Sequence, residues 1–354
     1  MPRTKGSVTI EDVARLAGVA KGTVSRVLNN YGDTSAETRD RILQAVERLE
    51  YQPSAAARKL KRGRVDTLGI VLPAGQGEHA DPFLSEFLDG IAQALDLSDR
   101  DLLVTTAHSD EHAVTVHDRL IRSRKVDGFI VTRTQGDDPR IGLLLQRGFP
   151  FVAHGRTKET DFAWYDVDNE RAFLDAVRHV VALGHRRIGF LGGPVRMNFA
   201  IQRKAGYRRG LAEAGIAHDP ALEIACELNE MSGAEAARTL VHLDEPPTAL
   251  VCVTDTLAIG AIEALRALGL AIGRDVTVIG YDGLPVGAYI DPPLTTFSQS
   301  AHAAGARAAQ MLIDVIEGVD PLERQELVRA DLVKRASDGP PEKTPKELKE
   351  SLAR

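Results

Sequence analysis

Residue types that catalyse reactions or bind metals occur along this 354-residue chain, but not in the patterns that such chemistry needs. His108, His112 and His117 are not joined by a cysteine or by an acidic ligand set, so a metal site is not indicated. The glycine-rich run at residues 189–193 is followed by Pro194 and has the wrong spacing for a dinucleotide fingerprint. These patterns predict neither a metal nor a cofactor.

Two further patterns could suggest a hydrolase. Ser85 and Ser232 lack the context of a nucleophile elbow. Asp166 and Asp168 lie two apart on a predicted strand, so they share a face. They can supply a ligand contact or a helix cap, but nothing sets a general acid against a nucleophile. We therefore expect a protein that is not an enzyme.

Charge is distributed unevenly along the chain. Residues 1–64 contain 13 Lys and Arg against 7 Asp and Glu, whereas the remainder contains 31 basic and 43 acidic residues. A small basic head on a larger acidic body indicates that the head contacts a polyanion, and it argues against a body that wraps DNA.

The class of protein is narrowed further by what the sequence lacks. No apolar run approaches the length of a membrane helix, and the basic N-terminus leads into no apolar segment typical of a signal peptide. Cys226 and Cys252 form neither a disulfide framework nor a metal spacing. We expect a cytoplasmic protein.

Three helices are predicted in the head, residues 1–50. Thr9 can cap the first, with Asp12 completing a capping box, and Gly18 can end it in a left-handed conformation. The second helix is predicted at about residues 21–29 and the third at about 35–49. Two short helices separated by about three residues, closed by a third, have the layout of a helix-turn-helix.

A linker is predicted at residues 51–65, after which the pattern changes. Residues 54–61 favour a helix but are too few for one that is stable alone, so we expect it to order on DNA. From residue 66 to about 335, buried apolar runs alternate with helical segments, which predicts parallel sheets in two α/β lobes with a ligand cleft between them. Residues 336–354 are expected to be a polar, loose tail.

Several motifs in series resemble the lactose-repressor (LacI) family of bacterial transcription regulators. The head contains VTIEDVA at residues 8–14 and GTVSRVLN at 22–29, and the linker contains YQPSAAARKL at 51–60. The body continues with LGHRRIG at 183–189 and VIGYD at 278–282. The resemblance covers about residues 7–335.

The resemblance implies a homodimer whose heads dock in the major groove of a pseudo-palindromic operator. Lys21, Gly22 and Arg26 match family positions that face the groove. Arg26 can fork onto guanine O6 and N7, whereas Gly22 leaves one reading position without a side chain. Lys21 can reach a base acceptor or a phosphate.

Other positions of the head and the linker carry over as supporting contacts. Thr9, Thr23 and Ser25 suit phosphate contacts, which hold register but read little sequence. Ala57 matches the small residue that lets two linker helices approach in the minor groove. Leu60 matches the leucine that wedges between base pairs.

For the body, the resemblance implies a fold like that of periplasmic sugar-binding proteins. The first lobe would be about 66–164 plus 296–324, and the second about 165–295 plus 325–335. Effector contacts carry over at Arg203 and Asp282, whose fork and acceptor oxygens suit adjacent hydroxyls.

The remaining effector candidates are less specific. Thr254 keeps a hydroxyl where the family often has an amide, and Asp255 either contacts the effector or only caps the next helix. Phe83 and Trp164 are candidates for stacking on a sugar ring, although a lone aromatic can equally belong to the core.

These observations together predict a sequence-specific, DNA-binding repressor that a small-molecule effector, a sugar by expectation, releases from its operator. Three alternatives stay open. One is a sugar-binding receptor without a regulatory role. The others are regulators that respond to a nucleoside or to a protein co-repressor. The tail lacks a sustained leucine heptad, so a dimer rather than a tetramer is expected.

Overall fold

The computed structural model describes residues 8–28, 34–51, 64–73 and 82–352, and the chain divides into the units Met1–Val65 and Asp66–Arg354. In the first unit, the described helices are α1 Ile10–Ala17, α2 Lys21–Leu28 and α3 Ala36–Arg48. Thr9 and Asp12 form the predicted capping box, and Gly18 ends α1 with a φ of 64°. Val13, Val24 and Ile42 are buried together in the core of this head. Most of the predicted linker, including Ala57 and Leu60, lies outside the described residues.

The second unit, the body, alternates strands and helices as predicted. Its strands, in chain order, are β1 Thr67–Pro73, β2 Asp101–Ala107, β3 Gly128–Val131, β4 Phe151–His154, β5 Ala163–Val167, β6 Ile188–Gly192, β7 Glu223–Ala225, β8 Ala249–Cys252, β9 Thr277–Asp282, β10 Thr295–Ser298, β11 Gln325–Val328 and β12 Asp331–Val333. Its α-helices are α4 Pro82–Asp96, α5 Asp110–Arg122, α6 Pro139–Arg147, α7 Asn169–Ala182, α8 Asn198–Glu213, α9 Glu230–Val241, α10 Asp255–Ala267, α11 Ala301–Glu317 and α12 Pro345–Leu352.

The strands form two six-stranded sheets, one in each lobe. The first has the order β11-β5-β4-β3-β1-β2 and the second β12-β10-β9-β8-β6-β7. Among the described strands, every pairing is parallel except the antiparallel pair of β10 with β12. Helices cover both faces, which is why central strands such as β9 are buried along their whole length. The predicted fold class, a helix-turn-helix head on two α/β lobes, is confirmed.

The chain crosses between the lobes a few residues from the predicted points. β5 stays in the first sheet to Val167, so the boundary predicted after residue 164 lies after residue 167. β10 pairs with β9 in the second sheet to Ser298, so the boundary predicted after residue 295 lies after residue 298. The third boundary, at 325, was wrong. Residues 325–328 pair in parallel with β5 and belong to the first lobe, so the chain re-enters the second lobe only at β12.

The prediction of a loose tail was also wrong. Helix α12 packs on the second lobe, where Leu348 is fully buried in its core. Asp338 lies 2.7 Å from Nε2 of His179, and Lys349 Nζ donates to the main-chain oxygen of Leu243. The overall polar composition of the tail did not indicate this packing. Leu348 and Leu352 lie one helical turn apart and form a narrow apolar stripe.

No helix in the described ranges is long and apolar enough to cross a membrane.

Candidate ligand-binding cleft and nucleic-acid interface

Helix α2 presents one polar, solvent-exposed face. Lys21, Gly22 and Arg26 are exposed, whereas Val24 and Val27 on the opposite face pack into the head. Groove contact by the side chains of Lys21 and Arg26 is therefore sterically open and stays a prediction, as does the place of Gly22 facing the groove.

The residues predicted to contact phosphates lie beside this face. Thr23 and Ser25 are partly exposed on α2. The hydroxyl of Thr9 donates to Asp12 Oδ2 across 2.8 Å, so this residue has a structural role in capping α1. Lys21 Nζ forms an exposed ion pair with Glu11 Oε1, which a phosphate would have to replace or share.

A cleft between the lobes lies beyond the carboxyl ends of their strands. Its volume is about 590 Å³, which includes space open to solvent. The first lobe contributes Phe83, Arg133, Thr134, His154, Gly155, Arg156 and Asp166; the second contributes Asn169, Asn198, Phe199, Gln202, Arg203, Leu228, Thr254 and Asp282; Gln299 lies between β10 and α11. Four of the six predicted effector residues, Phe83, Arg203, Thr254 and Asp282, are brought together here.

Arg203, on α8, is held rigidly at the base of the cleft. Only 3% of the residue is exposed. Its Nε donates to Asn169 Oδ1 across 2.8 Å, and its Nη1 donates to the Val253 oxygen across 2.5 Å. The guanidinium carbon lies 3.8 Å from the centroid of the Tyr281 ring and 4.6 Å from that of Phe199. A planar cation fixed in this way is suited to bidentate recognition of paired acceptors.

Asp282 ends β9 in the cleft with a φ of 127°. Residues with a side chain seldom adopt this conformation, and such strain concentrates at functional sites. Its Oδ1 accepts a hydrogen bond from Gln299 Nε2 across 2.6 Å. Thr254 caps α10 by accepting from the Leu257 N–H, which leaves its hydroxyl hydrogen to donate.

A polar network connects the two lobes along one wall of the cleft. Arg156 Nε donates to Asp166 Oδ2 across 2.8 Å. Asn169 Nδ2 donates to Gln202 Oε1 across 3.1 Å and to Asp166 Oδ1 across 3.4 Å. Asp166 therefore lines the cleft, whereas Asp168 caps α7, so the two roles left open for this pair are divided between them.

His154 contributes a neutral imidazole to the lining of the cleft. Its ring packs among Phe83, Phe87 and Tyr165, and burial lowers its pKa to about 4. Its Nε2 atom is buried without a hydrogen-bond partner within the described structure. Buried polar atoms are seldom left in this way, and a hydroxyl group that reached this nitrogen would supply the missing hydrogen bond.

Two predicted effector residues do not line the cleft. Asp255 is fully buried, and its carboxylate accepts from Thr296 Oγ1 across 2.5 Å and from the Leu284 N–H across 2.7 Å. It therefore braces the segment after β9, and burial raises its pKa. Trp164 packs against the core of the first lobe, with Arg156 5.5 Å from its ring centroid. An effector contact by either residue does not fit this geometry.

Sequence reasoning missed several cleft residues, some of which had a detectable signal. Phe199 lies one helical turn before Arg203, and Asn198 lies one turn before Gln202, so all four share a helix face. That periodicity could have identified them. His154 is the last residue of β4 and Arg156 lies two residues after it, a pattern with no distinctive spacing.

Comparison with known proteins shows the family to which this chain belongs. Residues 9–54 match the family described as bacterial regulatory proteins, lacI family, and residues 177–337 match the periplasmic binding protein-like domain. The HTH-type transcriptional regulator AglR of Rhizobium meliloti (strain 1021) is 39% identical over 345 residues, with 96% of each chain covered. The chain belongs to the LacI family of bacterial regulatory proteins.

Solved structures of LacI-family proteins share the whole architecture. The lac repressor dimer bound to operator and the anti-inducer ONPF has a TM-score of 0.84 at 27% identity, covering 94% of this chain and 100% of that one. A complex of the regulator CelR with cellobiose has a TM-score of 0.72 at 30% identity, covering 93% and 99%. As a LacI-family member, this protein is a DNA-binding transcriptional regulator and not an enzyme. The alternative of a receptor without a regulatory role is thereby excluded.

Proposed function

We propose that this regulator represses transcription in the cytoplasm as a homodimer on a pseudo-palindromic operator, and that a saccharide bound in the cleft releases it. In this proposal the effector is a glucoside or another hexose derivative. In this proposal Lys21 and Arg26 contact base edges, and Thr9, Thr23 and Ser25 contact phosphates. Gly22 faces the groove without a side chain, and Ala57 and Leu60 act in the minor groove.

The observation that carries the saccharide assignment is the composition of the cleft. The Arg203 guanidinium and the Asp282 carboxylate offer forked donors and paired acceptors for adjacent hydroxyls. Neutral His154 and the amides of Asn169 and Gln202 add further partners that suit an uncharged polyhydroxylated ligand. The ring of Phe83 can face the apolar side of a pyranose.

Release follows from linkage between the cleft and the DNA. A ligand that contacts both lobes favours their closed arrangement, and the proposal couples this closure to the affinity of the dimer for its operator. The ligand can alter operator affinity only by its differential affinity for the two states, and a coupling of about 1–3 kcal/mol is ordinary.

Calorimetry on the purified protein against mono- and disaccharides, nucleosides and polyols tests the assignment. We expect a saccharide to bind, and Asp282→Ala to abolish its binding. Asp244→Ala, which changes a fully exposed aspartate outside the cleft, is the matched control and should bind normally. Tight binding of a nucleoside with no response to any saccharide would overturn the assignment. If no small molecule bound and only a second protein changed operator binding, the alternative of a protein co-repressor would be favoured.

A further inference from the structure

A second cavity adjoins the cleft on the first lobe. Its volume is about 680 Å³, which includes space open to solvent. It lies at the carboxyl ends of β1 and β2, beside the start of α5. From the second lobe, Arg196 and Met197 border it. Arg133 lines both this cavity and the cleft, so the two spaces meet at that side chain.

The position of Arg133 explains why the two cavities adjoin. The residue follows β3, and β3 and β1 are the neighbouring strands at which the order of the first sheet reverses. At such a switch point the connections diverge to opposite faces of the sheet and leave a crevice beyond the strand ends. The cleft occupies the side of β4 and β5, and the second cavity occupies the side of β1 and β2.

The lining of the second cavity has the chemistry that a sugar ring requires. The Asp110 carboxylate accepts from Gln135 Nε2 across 2.8 Å and can accept further hydrogen bonds through its other oxygen. The guanidinium groups of Arg133 and Arg196 are donors, and Pro73 and Met197 provide apolar surface. Polar groups of both kinds around an apolar patch suit a ring with hydroxyls at its rim.

We infer that the effector has at least two sugar rings: one bound between Arg203 and Asp282, the other in the second cavity, with Arg133 at the junction. This inference rests on the proposed saccharide response and specifies the size of the ligand. It makes Asp110 a specificity-determining residue for the second ring. Asp110 is exposed in the first turn of α5, so it can be changed without disturbing a core.

Calorimetry with the full-length protein tests the inference, using D-glucose and D-galactose alongside maltose, cellobiose and lactose. The best disaccharide should bind at least about tenfold more tightly than its component monosaccharides. Asp110→Tyr, which places a ring in the second cavity, should remove that advantage. Glu111→Tyr, at the neighbouring exposed position, which does not line the cavity, should behave as the wild type.

Equal affinity for mono- and disaccharides would overturn the inference while leaving the proposed function intact. A disaccharide advantage that Asp110→Tyr does not change would also overturn it, because the second ring would then lie elsewhere. If the wild-type protein bound a nucleoside tightly and no saccharide of the wider panel, the proposed saccharide response itself would be wrong.

Discussion

Asn198 of the second lobe donates a hydrogen bond from Nδ2 to the main-chain oxygen of Arg156 in the first lobe, across 2.6 Å. Its own N–H donates to the Thr134 oxygen across 2.9 Å, and the adjacent Met197 forms a β-bridge with Gln135. One residue at the start of α8 therefore contacts two loops of the opposite lobe. Because these bonds exist only when the lobes are close together, they favour the closed arrangement.

Asn198→Ala should weaken the effector response. A hydrogen bond of this kind contributes about 0.5–1.5 kcal/mol, so the effector concentration for half-maximal operator release should rise about two- to tenfold. Operator affinity without effector should not fall. Ile201→Ala, a half-exposed position on the same helix, is the control. An unchanged release curve for Asn198→Ala would show that this contact does not bias closure.

Arg26→Ala should lower affinity for the preferred operator by about 1–3 kcal/mol and relax the preference at one base pair. Thr23→Ala, at a predicted phosphate contact, should instead weaken binding to all sequences alike. Competition binding against single-base operator variants distinguishes the two patterns. If Arg26→Ala weakened binding uniformly, its assigned role in reading a base would be wrong.

Leu348→Ala should lower the free energy of unfolding by about 2–5 kcal/mol, because the side chain is buried in the core of the second lobe. Denaturant titration measures the change, with the exposed Glu350→Ala as the control. A loose tail would make the two variants equally stable.

The same packing bears on assembly. Leu348 and Leu352 both pack on their own second lobe and so are occupied within the chain. We therefore expect light scattering at micromolar concentration to give the mass of two 38.3 kDa chains. The mass of four chains would contradict this expectation.

Stability should fall as the pH decreases from about 6.5 to 4, in part through His117 and His154. Burial lowers the pKa of each to about 4 from the usual 6.5. Between these values the unfolded chain binds protons that the native protein does not, so their effect is absent above pH 6.5 and grows below it. Each group contributes a slope of up to about 1.4 kcal/mol per pH unit.

His117→Leu tests this dependence. Below pH 6.5, the variant should reduce the slope of the unfolding free energy against pH by up to about 1.4 kcal/mol per pH unit, because it removes one of the two groups. His302→Leu, at a partly exposed position, provides the comparison. Identical slopes for the His117 variant and the wild type would contradict a neutral, buried His117.

Local rules predicted the head and the alternation of the body because each depends on near neighbours. The capping box of Thr9 and Asp12 and the left-handed Gly18 are examples. The third crossing between lobes was misplaced because the pairing of Gln325 with Trp164 joins strands 161 residues apart, which no local pattern encodes. Asp255 was ambiguous for the same reason: its partner Thr296 is distant in sequence, and only the fold shows that its carboxylate is already occupied.

The central claim, that the cleft controls DNA binding, is tested most directly by operator affinity with and without the saccharide that calorimetry identifies. Fluorescence anisotropy on a labelled operator at fixed salt is suitable, because phosphate contacts make the affinity depend on ionic strength. We predict that saturating saccharide weakens wild-type binding by about 1–3 kcal/mol, and that Asp282→Ala binds the operator normally but does not respond. The account would be contradicted if the bound saccharide left the operator affinity of the wild-type protein unchanged. It would also be contradicted if the saccharide still weakened operator binding by Asp282→Ala.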